Sequence, residues 1–353
     1  MSFLTQYGWN PFFENNYSAH TLSESVGRIC TVFGQRYQII TASGYLEGEV
    51  SGSLLNSKEA WDLPKVGDWV VFIATGDMGY IIDVLPRQNE LSRKSPGRSM
   101  EKQVLATNID QAWILQGLDR DFNLMRLQRY LYQICSLDIS PLVILTKCDL
   151  VSNPEHYLEQ VIQLGYTCPV ILTSIQTGQG LEELRKLYLN VGKTYVLLGS
   201  SGVGKSSLLN TLMGTEIQLA GSVSTANSKG RHTTTTRNLI LLPNGSLMLD
   251  TPGMREFGVT VDQETAAGLQ HPQLEELALH CHFHDCTHQD EPGCAVREAI
   301  HTGELPLLVY QSYLKLTKES QRFNLSADER RRRNKLAGRL SREASMYRKR
   351  DKY

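Results

Sequence analysis

The segment GSSGVGKSS, Gly199 to Ser207, has the spacing G-x-x-x-x-G-K-[ST]. It follows the apolar run TYVLLG and opens the helical pattern KSSLLNTL. Glycines let backbone N–H groups close around phosphate oxygens, and the helix amino terminus favours an anion there. The backbone of Gly199, Ser200, Ser201, Gly202, Val203 and Gly204 is expected to line this cradle. Lys205 is expected to reach the β- and γ-phosphates, Ser206 to hold Mg²⁺, and Ser207 to follow it into the helix. A second segment, LMLDTPG at 247–253, reads as a strand ending in a carboxylate and a turn. There Asp250 can hold Mg²⁺ directly or through water, and the Gly253 N–H can sense a γ-phosphate.

Base recognition is expected elsewhere. LVILTKCD, 142–149, ends a strand in Thr146, Lys147, Cys148 and Asp149. A lysine stem can cover a base plane. A carboxylate can accept from both N1–H and the 2-amino group of guanine, which adenine cannot match, so Asp149 points to GTP. The backbone of Thr173 and Ser174, at the end of the next strand, can contact the guanine oxygen. GTPases ordinarily place the phosphate loop first and the base motifs last. Here the base motifs precede the phosphate motifs. A parallel sheet can be cut and rejoined this way when its termini lie close together, so the order indicates a circularly permuted GTPase.

Between the phosphate loop and DTPG lies SKGRHTTTTR, 228–237, a polar loop suited to ordering around nucleotide. Thr234, or Thr235 beside it, is expected to close on Mg²⁺ and the γ-phosphate. Where many GTPases carry a water-positioning Gln, this chain has Met254, whose thioether cannot orient water. His232 is the nearest substitute, and an ordinary loop histidine is the competing reading.

Of the seven cysteines, Cys281, Cys286 and Cys294 cluster, and five of the nine histidines fall between His280 and His301. Thiolates with an imidazole suit tetrahedral zinc, and four protein ligands leave no open position, so a structural site is expected. A histidine among His280, His282, His284 and His288 would supply the fourth ligand. The H-x-E and P-C-x-x-C pattern of a zinc deaminase is missing from the cluster.

The elements that must carry these groups differ along the chain. Residues 1–24 are aromatic and Asn-rich and are expected to be a flexible arm. Residues 25–98 contain five short β-rich runs, from SVGRICTVF to GYIIDVL, as in a small OB-type barrel. Such a barrel binds oligonucleotides or serves as a spacer. Residues 87–103 read as a linker. Residues 99–258 alternate apolar strands and helices, the pattern of a helix-covered parallel sheet. Residues 259–329 form a helical domain around the cysteine cluster, and 330–353 a basic tail. From Arg330 to Lys352 there are eleven Lys/Arg and two acids, a balance of +9 that leaves −10 on the rest of a chain with net charge −1. The tail is either a polyanion-binding element or a solvated terminus.

Hydrophobic content of 41% and charged content of 21% describe a globular chain and exclude a disordered or collagen-like one. No apolar run reaches membrane-spanning length, and no basic segment precedes an apolar one at the amino terminus. A cytoplasmic location without membrane attachment is therefore expected.

TKCD, GSSGVGKSS, GRHTTT and DTPGMREF, in that order behind a β-barrel and ahead of Cys-x4-Cys-x-His-x5-Cys, resemble the ribosome small-subunit-dependent GTPase A family of bacterial assembly factors. The resemblance implies an N-terminal OB-fold, a central permuted GTPase and a C-terminal zinc-bearing helical module, with one zinc on Cys281, Cys286, His288 and Cys294. It implies GTP and GDP as ligands, Mg²⁺ with GTP, and late maturation of the small (30S) ribosomal subunit. The chain would bind 16S rRNA, be stimulated by the subunit, meet other assembly factors and act as a monomer. The zinc loop would be a bare scaffold or an RNA-contacting knuckle. One departure is Thr146, where the base motif usually has an Asn that bridges guanine N7 to the phosphate loop. A competing reading is a GTP-dependent RNA-binding checkpoint whose hydrolysis is incidental.

Overall fold

A computed structural model describes residues 3–18, 23–59, 61–94, 102–214, 238–250, 272–307, 309–311 and 313–314. The chain forms two compact units, Met1–Thr260 and Val261–Tyr353. The expected loop 228–237 with His232 and Thr234, the Gly253 turn and the basic tail lie outside the described residues.

The first unit opens with two short helices, α1 (Phe3–Gln6) and α2 (Pro11–Asn16). Five strands then close a barrel: β1 (Glu24–Phe33), β2 (Arg36–Thr41), β3 (Gly44–Val50), β4 (Trp69–Thr75) and β5 (Met78–Val84), with helix α3 (Gly52–Ser57) between β3 and β4. The ladder runs β1-β2-β3-β5-β4 and returns to β1, with only the β3–β5 pair parallel. The barrel is filled by Ile29, Tyr37, Ile39, Leu54, Val70, Phe72 and Ile81. Its bore is narrow: a Cβ at Gly27 or Gly48 would meet the Ile39 side chain at 2.4 or 2.6 Å.

Both ends of the expected linker, 87–103, contribute to strands. Strands β6 (Glu90–Lys94) and β7 (Lys102–Thr107) pair antiparallel, and Leu91, Val104 and Ala106 are buried. The boundary expected at 98/99 falls between these two paired strands.

The second sheet is built from β8 (Gln111–Gly117), helix α4 (Leu124–Cys135), β9 (Ser140–Thr146), α5 (Pro154–Ile162), β10 (Val170–Leu172), α6 (Leu181–Glu183), β11 (Thr194–Leu198), α7 (Lys205–Met213), β12 (Asn238–Leu241) and β13 (Leu247–Asp250). The spatial order is β10-β9-β8-β11-β13-β12, and only β12 is antiparallel to its neighbour. Alternate residues enter two cores on opposite faces. Ala112, Ile114, Val143, Leu145, Val196 and Leu198 face one, with α4. Trp113, Leu115, Leu142, Ile144, Tyr195 and Leu197 face the other, with α7. Burial on both faces is why these strands read as unbroken apolar runs.

The amino-terminal residues depart from the expected flexible arm. Phe13 is 1% exposed, and Trp9 and Phe13 lie 4.8 and 5.7 Å from the Trp69 ring. Pro11 opens α2 and Asn10 caps it, accepting from the Phe12 N–H at 3.0 Å. Aromatic content that suggests looseness without periodicity here supplies packing area.

Arg28 joins arm, barrel and sheet. It is 1% exposed, lies 5.7 Å from the Trp69 ring centroid, and donates to Tyr7 O at 2.5 Å, Thr194 Oγ1 at 2.9 Å, Gly67 O at 3.1 Å and Asn108 O at 3.1 Å. Burial brings its guanidinium down to about 10, still charged at neutral pH. Arg28→Met keeps the volume and strands these acceptors. It should cost about 2–4 kcal/mol in urea unfolding and expose residues 1–18 to limited proteolysis. An unchanged midpoint with a protected amino terminus would show that packing alone holds this junction.

Candidate functional site

The Gly199–Ser206 loop leaves β11 at the carboxyl edge of the parallel sheet, where ligands bind in open α/β folds. Its backbone needs glycine: φ is +143° at Gly199, +77° at Gly202 and +106° at Gly204. A Cβ at Gly199 would also stand 2.5 Å from Leu115 O on the neighbouring strand. No side chain caps α7, so its first N–H groups remain available to an anion. Lys205 Nζ donates to Gly199 O at 2.6 Å and Ser200 O at 2.7 Å, which folds the lysine over the loop. Val203 is buried and anchors the loop in the core, while Ser201, Gly202, Ser206 and Ser207 are exposed.

The base-motif residues converge on the same edge. Thr146 is buried and its hydroxyl donates to Val203 O at 2.8 Å. The usual Asn is thus replaced by a residue that still ties this strand to the phosphate loop. Lys147 adopts φ +60° and donates to Asp119 Oδ2 at 2.6 Å. Cys148 donates its N–H to Thr173 O at 3.2 Å and its thiol to Gln179 Oε1 at 3.3 Å. Burial raises that thiol, keeping it a neutral donor. Ser174 is 1% exposed, donates its N–H to Gln179 O at 3.1 Å and accepts from Thr177 N at 3.2 Å. Asp149 is exposed and makes no hydrogen bond or ion pair among the described residues, which leaves its carboxylate available to a ligand. Asp250 ends β13, one residue past the Leu249–Val196 pairing, so its backbone reaches the edge from which the loop departs.

The turn after β8 is a part of the site that sequence reasoning missed. Asp121 accepts from the Ser200 hydroxyl and from Arg126 Nη1 at 2.9 Å and Nη2 at 2.7 Å. Burial raises the Asp121 carboxyl, but Ser200 and Arg126 outweigh it and hold the group below its usual value. The Lys147 hydrogen bond likewise lowers Asp119. The available signal was GLDRDFN, 117–123, a polar run at the carboxyl end of a buried strand beside β9 and β11.

In the second unit Cys281, Cys286, His288 and Cys294 bring one ligand atom each within 4.8 Å of one another. Tetrahedral zinc bonds of about 2.3 Å to sulfur and 2.05 Å to nitrogen require S···S near ~3.8 Å and S···N near ~3.6 Å. Cys281 and Cys294 sulfurs are 3.9 Å apart, and each lies 3.5 Å from His288 Nδ1. The cluster therefore fits one zinc. His280, His282 and His284 are not part of it. His288 sits at φ +61°, its carbonyl accepts from the Tyr310 hydroxyl at 2.7 Å, and burial lowers its imidazole toward the neutral, ligating form. Helices α8 (Pro272–Ala278) and α9 (Ala295–Thr302) flank the cluster, with Leu274, Val296, Ala299, Leu305 and Val309 as their core.

Among the described residues no helix is long and apolar enough to cross a membrane. The RsgA GTPase family model matches residues 84–260. An ABC transporter model matches 184–346, a range that includes the phosphate-loop motif common to many nucleotide-binding proteins. A "Small ribosomal subunit biogenesis GTPase RsgA 1" of Bacteroides thetaiotaomicron is 36% identical over 96% of this chain and 96% of its own length. A "Small ribosomal subunit biogenesis GTPase RsgA 2" of Listeria monocytogenes is 40% identical over 90% of this chain and 89% of its own. The crystal structure of YloQ, a circularly permuted GTPase, superposes with TM-score 0.63 at 26% identity, covering 88% of this chain and 99% of that one. YjeQ from Thermotoga maritima gives 0.61 at 25%, covering 84% and 99%. The permuted motif order, the converging loops and these matches agree: the chain belongs to the RsgA GTPase family and is a circularly permuted GTP hydrolase.

Proposed function

We propose that this GTPase acts in biogenesis of the small ribosomal subunit, binding it through 16S rRNA late in maturation and hydrolysing GTP faster when bound. The observation that carries this reading is near full-length similarity to two proteins named for that role. The chain works in the cytoplasm as a monomer, alongside other assembly factors. The barrel's strand order, its parallel β3–β5 pair and the helix between β3 and β4 support an OB-fold, a common platform for nucleic acid.

In this reading Gly199–Ser207 cradles the phosphates, with Lys205 on the β- and γ-groups. Asp149 reads guanine and Lys147 covers its plane. The expected backbone contact from Thr173 and Ser174 to the guanine oxygen has no free donor here, because their N–H groups donate to Leu145 O at 2.8 Å and Gln179 O at 3.1 Å. Ser206, Asp250 and Thr234 offer the oxygen donors that suit Mg²⁺, which would neutralise phosphate charge. Gly253 senses the γ-phosphate and His232 orients water in place of the glutamine that Met254 replaces. Thr146 donates its single hydroxyl proton to Val203 O. That proton is unavailable to guanine N7, so base choice rests on Asp149. Zinc is structural, closing the Cys281–Cys294 loop.

Lys205→Ala should abolish hydrolysis. Asp149→Asn should lower the GTP-over-ATP preference at least tenfold, roughly the loss of one charge-assisted contact. Nucleotide competition decides this, and an unchanged preference would reassign TKCD to a structural cap. Metal analysis should find one zinc per chain. Cys286→Ser should lose it and unfold the second unit first, because structural zinc binding contributes to folding; a metal-free parent that melts at the same temperature overturns the zinc assignment. Small subunits should accelerate hydrolysis, whereas large subunits should not. Truncation after Glu329 should flatten the salt dependence of subunit binding while leaving basal turnover intact. Equal stimulation by both subunits would refute the partner.

A further inference from the structure

The turn following β8 contacts both halves of the nucleotide site; Leu118 anchors it in the core, but core packing does not explain its two carboxylates, Asp119 and Asp121. Asp119 Oδ2 holds Lys147 Nζ at 2.6 Å, and Asp119 Oδ1 accepts the Asp121 N–H at 2.9 Å. Two residues on, Asp121 takes the Ser200 hydroxyl of the phosphate loop. The turn is stiff. Gln116, 2% exposed, donates to Asp121 O at 3.0 Å, Phe122 N donates to Asp119 O at 3.0 Å, and Asn123 caps α4. A carboxylate beside an anion-binding loop would repel a polyphosphate in proportion to its charge. Here Arg126 pairs with Asp121 through both nitrogens and removes that objection.

We propose that Asp119 and Asp121 form one bracket that positions Lys147 against the base and Ser200 in the phosphate loop, and that Arg126 makes this acidic bracket compatible with GTP. The bracket couples the two halves of the site through a five-residue turn, Gly117–Asp121, independently of the Thr146–Val203 bond. None of the three residues touches the reacting atoms; they are positioning residues. The proposal rests on the nucleotide-site assignment above.

The test uses the full-length protein, fluorescent GDP and GTP analogues, and steady-state hydrolysis. Arg126→Met retains the stem and leaves Asp121 unneutralised. It should weaken GTP roughly tenfold and GDP roughly threefold, the larger loss falling on the more highly charged nucleotide. Adding Asp121→Asn, which still accepts from Ser200, should bring both affinities back to within about twofold of the parent. A merely structural ion pair predicts the opposite: equal losses for both nucleotides and a double variant no better than the single one. On the other arm, Asp119→Asn should raise KM for GTP about fivefold with kcat within twofold, and should have no further effect in a Lys147→Met background. Equal GTP and GDP losses, failure of the second-site rescue, or additivity of Asp119→Asn with Lys147→Met overturns the bracket. Lys205→Ala serves as the control. If it retains GTP affinity, the site itself is misassigned and the bracket falls with it; if it loses affinity while Arg126→Met does not, only the bracket fails.

Discussion

In a parallel sheet every strand releases its loop at the same edge, and that constraint organises the rest of this molecule. β8, β9, β11 and β13 are mutually parallel through their neighbours. The turn after β8, the base motif after β9, the phosphate loop after β11 and the end of β13 must therefore assemble at one edge, whatever their order in the chain. Permutation alters which connection is cut but leaves this convergence intact. The tertiary bonds across the edge, Thr146 to Val203, Lys147 to Asp119 and Ser200 to Asp121, then fix the loops relative to one another.

The sheet's other end is held to the barrel by two different means. One is backbone continuity: β12 pairs with β1 at Thr31 and Asn238, which carries the ladder from one sheet into the other. The other is Arg28, whose charge is fully desolvated and so must be fully satisfied. Its partners belong to the arm, the barrel, the turn after β7 and the first residue of β11. β11 runs directly into the phosphate loop. Residues Met1–Thr260 consequently form one compact unit.

How much of this could be read from sequence depends on whether the cause was local. Gly199, Gly202 and Gly204 are legible because left-handed backbone requires glycine at those points. The cysteine cluster is legible because ligand chemistry limits the residue types. The five barrel strands and the alternating sheet and helix pattern followed from apolar periodicity. The arm was misread because its order comes from Trp9 and Phe13 meeting Trp69, nearly sixty residues away. Arg28 gave no cue, since a lone arginine in a strand is ordinarily solvated. Asp119, Asp121 and Arg126 look like any polar loop until the sheet places them between two motifs.

Thr146 illustrates how such tertiary context changes the meaning of a motif. An asparagine offers an amide N–H and a carbonyl, enough to serve loop and base together. A threonine hydroxyl has one proton, and here it goes to the phosphate loop. Of the two duties, the one retained is mechanical: it keeps the base strand and the loop at fixed distance. In the proposed reading the base-facing duty falls to the exposed Asp149 carboxylate, because the Thr173 and Ser174 N–H groups are already committed to Leu145 O and Gln179 O. A loop that must close around a polyphosphate gains more from a fixed frame than from one further contact to the base, because every phosphate N–H contact depends on the loop's shape.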